Sequence, residues 1–338
     1  MREILIVGGG HQGLAMAAHL SLNGEKVNLW NRSETNIEDI INSKCIKCQG
    51  VINGNAIINK ASSDIDGMMS ELIMITTPSS AHKDIAKMIA KKVNENTVII
   101  LNPGRTFGTV EFAKELAKCG CKALPKIAET QTIVYTCRRS EDNQVTIFAL
   151  KKDVLIAAHN PEDTEYIMKK IPDCLKPYFL PAKSTVFTSL GNVGMILHCA
   201  PVLMNIGWIE SEAAEFKYYY DGISQTIARF IEKLDLERIL VARAMGYDIE
   251  SLSDWLRRTY GVEGDSLYDC IHNNKYYSKI DAPSTIRHRY LEEDIPCGLV
   301  PLEAAGRALS VPTPIASLVI DLANEVMEKD YRKNGRTF

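Results

Sequence analysis

The first half of the chain alternates short apolar runs with stretches of helical periodicity. Residues 3–7 (EILIV), 26–30 (KVNLW), 71–75 (ELIMI) and 97–101 (TVIIL) are nearly continuously apolar, and a further run lies near 145–150 (VTIFAL). Between them, the spacing of apolar positions predicts helices over 12–23, 79–92 and 108–119. Strands of this kind alternating with helices imply a parallel sheet covered on both faces. Residues 45–60 (CIKCQGVINGNAIINK) differ, and their Gly and Asn turns suggest a small inserted hairpin.

Around 177–186 the β pattern stops, after Pro177 and Pro181. Long helices are expected over 187–205 and 211–245, and shorter ones near 250–259 and 265–274. A Pro- and Gly-bearing segment follows at 275–301. The last helix is expected to start after Thr313, with Pro314 at its first position. Ile315, Leu318, Val319, Leu322 and Val326 would form its apolar face. The pattern predicts an α/β Rossmann-type N-terminal domain over 1–183 and an all-helical C-terminal domain over 184–338.

Composition changes this picture little. The 338 residues are 46% hydrophobic and 24% charged, as in ordinary globular proteins. With 39 basic and 42 acidic residues, a net charge of −3 gives no bulk attraction to nucleic acid or to an anionic membrane. Gly8 interrupts the N-terminal apolar run too early for a secretory leader, and no run reads as long enough to span a bilayer. Nine scattered cysteines do not suggest a disulfide framework, so a cytoplasmic protein with reduced thiols is expected. Cys45-Ile46-Lys47-Cys48 lacks a second ligand pair nearby and is read as incidental, so no metal site is expected. A homodimer is compatible with the sequence, which does not fix the oligomeric state.

The candidate chemistry begins at Gly8-Gly9-Gly10-His11-Gln12-Gly13, a G-x-G-x-x-G that follows an apolar strand and opens a helix. In that setting Gly8 permits the tight turn, Gly10 lets the backbone approach a pyrophosphate, and Gly13 lets helix and strand pack closely. The N–H groups at the helix start, from His11 and Gln12 onward, would face the phosphates. The end of the second strand distinguishes the dinucleotides, because an acid there accepts the adenosine ribose hydroxyls of NAD. This chain has Asn31-Arg32-Ser33 instead. An uncharged Asn31 does not repel a 2′-phosphate, Arg32 can pair with it and Ser33 can donate to it, which favours NADP(H) over NAD(H). Two loops at strand C-termini, 76–82 with Thr77 and Pro78 and 102–108, would line the nicotinamide end of the sheet.

In the second half, His198 lies in the apolar stretch 190–198 (LGNVGMILH), and a charged cluster at 287–296 (RHRYLEEDIP) closes on Pro296. By itself a histidine on an apolar helix is more often packed than catalytic. The run 289–314 (RYLEEDIPCGLVPLEAAGRALSVPTP), however, resembles the C-terminal signature of the octopine/nopaline (opine) dehydrogenase family. The segments 190–205, 102–111 (NPGRTFGTVE) and 128–138 (AETQTIVYTCR) resemble the same family, in family order. The resemblance implies a helical domain like the C-terminal domain of 6-phosphogluconate dehydrogenase. It also implies NAD(P)H-dependent reduction of the imine formed between an α-keto acid, such as pyruvate, and the amino group of an amino acid.

Carried over by position, the resemblance makes His198 the catalytic histidine, Asp294 its partner and Arg289 the residue that binds the keto acid's carboxylate. Cys137 falls in the family's substrate-side loop, although a buried structural thiol is the simpler reading. The chain departs from the family at Cys199-Ala200-Pro201, where Pro often follows the histidine directly, and at Ile133-Val134-Tyr135, where Leu-Pro-Tyr or Leu-Pro-Trp is common. Those changes bear on the shape of the amino-acid pocket, to which Trp255, Tyr260, Tyr276 and Tyr277 are candidate contributors. Two-domain ketone reductases of the ketopantoate reductase and glycerol-3-phosphate dehydrogenase type are the alternative. They use a lysine on the corresponding helix, and here no Lys lies between 184 and 216. A dinucleotide-binding sensor without turnover would not need His198, Arg289 and Asp294 together.

Overall fold

The computed structural model describes residues 2–141, 143–212 and 215–337. It divides into two compact units, 1–189 and 190–338, six residues beyond the boundary suggested by the change in sequence pattern. Among the described residues the first unit contains twelve strands: β1 (Glu3–Val7), β2 (Lys26–Trp30), β3 (Cys45–Gly50), β4 (Gly54–Ile57), β5 (Lys60–Ser62), β6 (Leu72–Ile75), β7 (Val98–Leu101), β8 (Lys126–Thr130), β9 (Tyr135–Glu141), β10 (Gln144–Leu150), β11 (Val154–Ala158) and β12 (Phe179–Pro181). Eight form one sheet in the order β12-β11-β8-β7-β6-β1-β2-β5, and only the β8–β11 pairing in it is antiparallel. Its strands are buried on both faces. Ile4 and Ile6 of β1 enter one hydrophobic core, and Leu5 and Val7 enter the other.

The run at 145–150 is not part of that sheet. β10 pairs antiparallel with β9 and parallel with β3, giving a second sheet in the order β4-β3-β10-β9. The predicted hairpin is its β3–β4 pair. Helix α1 (His11–Leu22) packs against both sheets, and Gly13 through Leu20 are all buried. A helix apolar on every side needs such a cover. Its only buried ring, His19, donates to or accepts from the Tyr135 hydroxyl at 3.0 Å, and burial lowers its pKa. The remaining helices of this unit are α2 (Glu38–Ser43), α3 (His82–Ile89), α4 (Gly108–Lys118), α5 (Thr164–Lys170) and α6 (Thr185–Ser189).

The second unit contains α7 (Gly194–Met204), α8 (Ile206–Ile209), α9 (Gln225–Ala244), α10 (Leu252–Tyr260), α11 (Leu267–His272), α12 (Arg289–Glu292), α13 (Val300–Ala308), α14 (Pro314–Met327) and α15 (Tyr331–Asn334). Among the described residues its only β feature is an isolated bridge between Lys217 and Asp281. The helix expected over 187–205 is broken at 190–193. The stretch 185–204 does reach the length and apolarity of a membrane span, contrary to the sequence reading, but 78% of it is buried in the protein.

The helix expected from 211 begins at Gln225, where the Ser224 hydroxyl accepts the Ile227 N–H as an N-cap. Before it lie the bridge residue Lys217 and turns over 218–222, and 213 and 214 lie outside the described residues. α14 starts at Pro314 as predicted, but on a different face. Ala316, Val319, Ile320, Ala323 and Met327 are buried, whereas Leu318 and Leu322 are exposed. The small alanines let α14 approach α7, α9 and α13 closely, so size outweighs hydrophobicity in choosing the buried side. The Glu237 carboxylate on α9 accepts the Ile315 and Ala316 N–H groups at 2.7 and 2.9 Å, satisfying the start of α14.

Candidate active site

The glycine loop has the geometry its sequence implies. Gly8 has φ +117°, and a Cβ there would meet Thr76 Oγ1 and Thr77 Cγ2 at 3.0 Å. A Cβ on Gly13 would lie 1.6 Å from the Gly8 carbonyl oxygen. A Cβ on Gly10 would meet nothing within 4 Å, so that glycine is not required by the protein's own packing. The first backbone hydrogen bond of α1 runs from Leu14 to Gly10, and the helix has no acidic residue in its first turn. The start of α1 is therefore an electropositive end beside open space, which fits a pyrophosphate. Thr77 Oγ1 and Gln12 Oε1 are shielded from solvent and have no hydrogen-bond partner among the described residues, while Gln12 Nε2 donates to the Tyr135 carbonyl at 3.2 Å. Pro78 is exposed just beyond β6.

At the end of β2, Asn31 is part of the loop's own structure. Its Oδ1 accepts the Gly9 N–H at 2.9 Å and its Nδ2 donates to the Ser33 carbonyl at 2.8 Å. Arg32 is exposed, with no partner among the described residues, and the Ser33 hydroxyl meets that of Thr35 at 2.8 Å. Arg139 on β9 was not anticipated. Its guanidinium donates to the carbonyls of Gly9 (3.1 Å) and Asn36 (2.7 Å), and its backbone N–H donates to His11 Nδ1 at 2.8 Å. It adds a second positive charge beside the glycine loop from a strand more than a hundred residues away.

Other residues of this unit brace the loops. Glu129, fully buried at the end of β8, accepts the Thr109 N–H at 2.9 Å, the Thr188 hydroxyl at 2.8 Å and the Ser189 hydroxyl at 2.5 Å. Its carboxylate thereby ties the start of α4 to α6. The only hint in the sequence was an acid inside the apolar run KIAET. The Cys137 thiol donates to the His11 carbonyl at 3.3 Å, and burial pushes its pKa up to about 12. It is a structural thiol, not a nucleophile. Cys45 and Cys48 are three residues apart on β3, so they leave opposite faces of the strand and cannot share a ligand. None of the nine cysteines forms a disulfide with another described residue.

In the helical unit, α7 carries His198. Pro201 lies inside this helix and withholds the N–H that would reach the Leu197 carbonyl. The buried Tyr218 hydroxyl serves instead, donating to the carbonyls of Leu197 at 3.3 Å and His198 at 2.8 Å. Asn205 closes the helix by donating to the carbonyls of Pro201 and Gly222, both at 2.8 Å. Asp294 precedes a π-helical turn over Ile295–Leu299, in which the Leu299 N–H reaches back to the Asp294 carbonyl at 3.0 Å. Gly298 allows this turn to press on α7, since a Cβ there would lie 2.7 Å from Met195 Cβ.

The turn brings the Asp294 carboxylate to 2.7 Å from His198 Nδ1. Asp294 is 1% exposed and the His198 side chain 12%. Tyr290 stacks on the imidazole, with centroids 3.9 Å apart at 14°, and the Arg289 guanidinium lies 6.0 Å over the Tyr290 ring. Arg289 is exposed and has no carboxylate partner among the described residues. Trp255, Tyr260, Tyr276 and Tyr277 form one aromatic cluster, which Tyr277 joins to Tyr219 by stacking at 4.0 Å. The helical unit thus gathers a carboxylate-oriented imidazole, an open guanidinium and an aromatic wall. The first unit offers a dinucleotide loop. Together they define a dinucleotide-dependent oxidoreductase.

Comparison with known proteins specifies the class. The model for the NAD/NADP octopine/nopaline dehydrogenase alpha-helical domain matches residues 181–327, and that for the NAD-dependent glycerol-3-phosphate dehydrogenase N-terminus matches residues 3–129. An opine dehydrogenase of Arthrobacter sp. (strain 1C) is 34% identical over 335 residues, covering 98% of this chain and 92% of its own length. The protein ocs of Agrobacterium vitis is 26% identical over 99% of this chain and 94% of its own. The fold matches octopine dehydrogenase in complex with NADH and agmatine with a TM-score of 0.82, at 18% identity over 97% of this chain and 90% of the other. The chain belongs to the opine dehydrogenase family. It is an NAD(P)-dependent oxidoreductase of the kind that condenses a keto acid reductively with an amino acid. The rival ketone-reductase families share the dinucleotide unit, whereas the helical domain carries the octopine/nopaline signature.

Proposed function

We propose that the protein joins pyruvate or a similar α-keto acid to the α-amino group of an apolar or aromatic amino acid, and that it prefers NADP(H). The observation that carries this reading is the His198–Asp294 pair at 2.7 Å with the open Arg289 beside it. Arg289 would hold the keto acid's carboxylate through two parallel N–H donors and so orient its C2 carbon. The dinucleotide supplies the hydride. Reduction of the imine leaves its nitrogen in need of a proton, which His198 holds at Nε2 while the Asp294 carboxylate accepts Nδ1–H and favours the imidazolium. The reverse oxidation uses the same groups with His198 as base. The wall of Tyr219, Tyr260 and Tyr277 suits an apolar side chain better than a charged one.

Gly8, Gly10, Gly13 and the N–H groups of His11 and Gln12 would hold the pyrophosphate, with Thr77 and Pro78 toward the nicotinamide. Arg32 and Ser33 would meet the 2′-phosphate. Asn31 would act indirectly, through its bonds to Gly9 and Ser33. A cytoplasmic location with reduced thiols accords with nine cysteines that form no disulfide among the described residues. The experiment is a screen of keto acid and amino acid pairs, following NADPH and NADH oxidation in parallel. Oxidation should require both substrates and be faster at limiting NADPH than at limiting NADH. Arg32→Ala should raise KM for NADPH about tenfold, the effect of one charge-assisted contact, and leave KM for NADH unchanged. Equal use of both cofactors by the wild type would refute the NADP reading.

A further inference from the structure

His198 Nε2, the ring nitrogen not bonded to Asp294, faces the Tyr219 hydroxyl at 3.3 Å. We propose that Tyr219 is a positioning residue for the reaction: its hydroxyl oxygen accepts Nε2–H of protonated His198, fixing the ring and raising its hold on the proton it delivers. The proposal rests on the reading of His198 as the proton donor.

Two features fix Tyr219 in place. Its ring, 4% exposed, stacks on Tyr277 with centroids 4.0 Å apart at 14° and meets Tyr218 edge-on at 4.9 Å. Tyr218 is itself fastened to α7 through the carbonyls of Leu197 and His198. The backbone repair required by Pro201 therefore delivers the next residue to Nε2. The direction of the hydrogen bond follows from the protonation state. The imidazolium carries hydrogen on both ring nitrogens, so Nε2 can only donate, and the Tyr219 hydroxyl oxygen accepts. Burial keeps the Tyr219 pKa well above the ordinary tyrosine range, so it stays a hydroxyl throughout the working pH range.

With Asp294 accepting at Nδ1 and Tyr219 at Nε2, both ring N–H groups of the imidazolium have acceptors; when the ring is neutral the Tyr219 hydroxyl turns to donate to Nε2, but the charge-assisted bond to the imidazolium is the stronger, so Tyr219 favours the protonated ring. The ionisable groups facing the imidazole include Asp294, Tyr219, Tyr290, His288 and Arg289. His288 has its own pKa lowered by burial, then by Arg289 and His198, so it adds no opposing charge at neutral pH. On α9 and α14, which also pack on α7, Asp235 pairs with Arg238 and Glu237 accepts the N–H groups of Ile315 and Ala316.

The test is an NMR titration of the protein with 13C-labelled histidine, in which the His198 signal is identified by its loss in His198→Asn. Tyr219→Phe keeps the ring and its stacking while removing the hydroxyl. It should lower the His198 pKa by about one unit and shift the basic limb of the reductive pH–rate profile down with it. kcat should fall about tenfold with KM for both substrates unchanged. A His198 pKa that is unchanged or raised in Tyr219→Phe would overturn the proposal, whatever the activity. A lowered pKa in a protein that makes no opine would uphold Tyr219 and refute the assigned reaction.

Discussion

His198→Ala is expected to reduce turnover by about 10²–10⁴-fold, the usual contribution of a positioned acid–base group, and to leave dinucleotide affinity at its wild-type value. The two outcomes separate because the imidazole and the glycine loop lie in different compact units. The substitution also leaves a carboxylate that is 1% exposed without its ring partner, which would lower stability. His198→Asn controls for this, since its amide nitrogen can replace Nδ1 as a donor to Asp294 but cannot supply a proton at the Nε2 position. Both variants should be inactive, and Asn should be the more stable. Initial rates, NADPH fluorescence titration and thermal unfolding measure the three quantities. Wild-type turnover in His198→Asn would remove the histidine from the mechanism.

Gly13→Ala should be among the most damaging single-methyl changes in the chain. Its Cβ would sit 1.6 Å from the Gly8 carbonyl oxygen and 2.9 Å from Thr76 Oγ1. α1 cannot move away, because it is buried against both sheets from Gly13 to Leu20. Overpacking of this kind costs about 1–3 kcal/mol or more, and any relaxation would displace the phosphate-facing N–H groups. A large fall in melting temperature together with loss of NADPH binding is expected. Gly10→Ala is the contrasting case. Its Cβ meets no atom of the protein, so stability should hold while dinucleotide affinity falls, because the methyl would occupy space the ligand needs. Normal NADPH affinity in Gly10→Ala would show that the open space is not the pyrophosphate site.

These contrasts follow how much was legible in the sequence. The glycine loop, β1, β2, β6 and β7 were readable because strands buried on both faces and a strand–loop–helix motif have strong local signatures. His198, Arg289 and Asp294 emerged from a resemblance spread over the chain, not from periodicity, which saw only a histidine on an apolar helix. What stayed hidden depends on distant partners. β9 (YTCRRSE) carries too many polar residues to announce a strand, and β11 (VLIAA), although apolar, lies outside the strand–helix alternation because it runs against β8. Tyr218 and Tyr219 were absorbed into a helix expected from 211, since nothing local announces that one tyrosine repairs the backbone at Pro201 and the next reaches the histidine. Asn31 was legible as a missing acid but not as the partner of Gly9. The buried side of α14 was missed because its small alanines face the core.

The central claim is that a hydride and a proton are used to join two substrates. The most direct measurement incubates the protein with 4-deuterated NADPH, pyruvate and an apolar amino acid and follows the products by mass spectrometry. The reading predicts one secondary amine that contains both carbon skeletons, has lost one water and carries one deuterium on the carbon derived from the keto group, with no product when either substrate is omitted. Deuterated lactate formed from pyruvate alone, with the amino acid untouched, would contradict it and make the protein a simple ketone reductase.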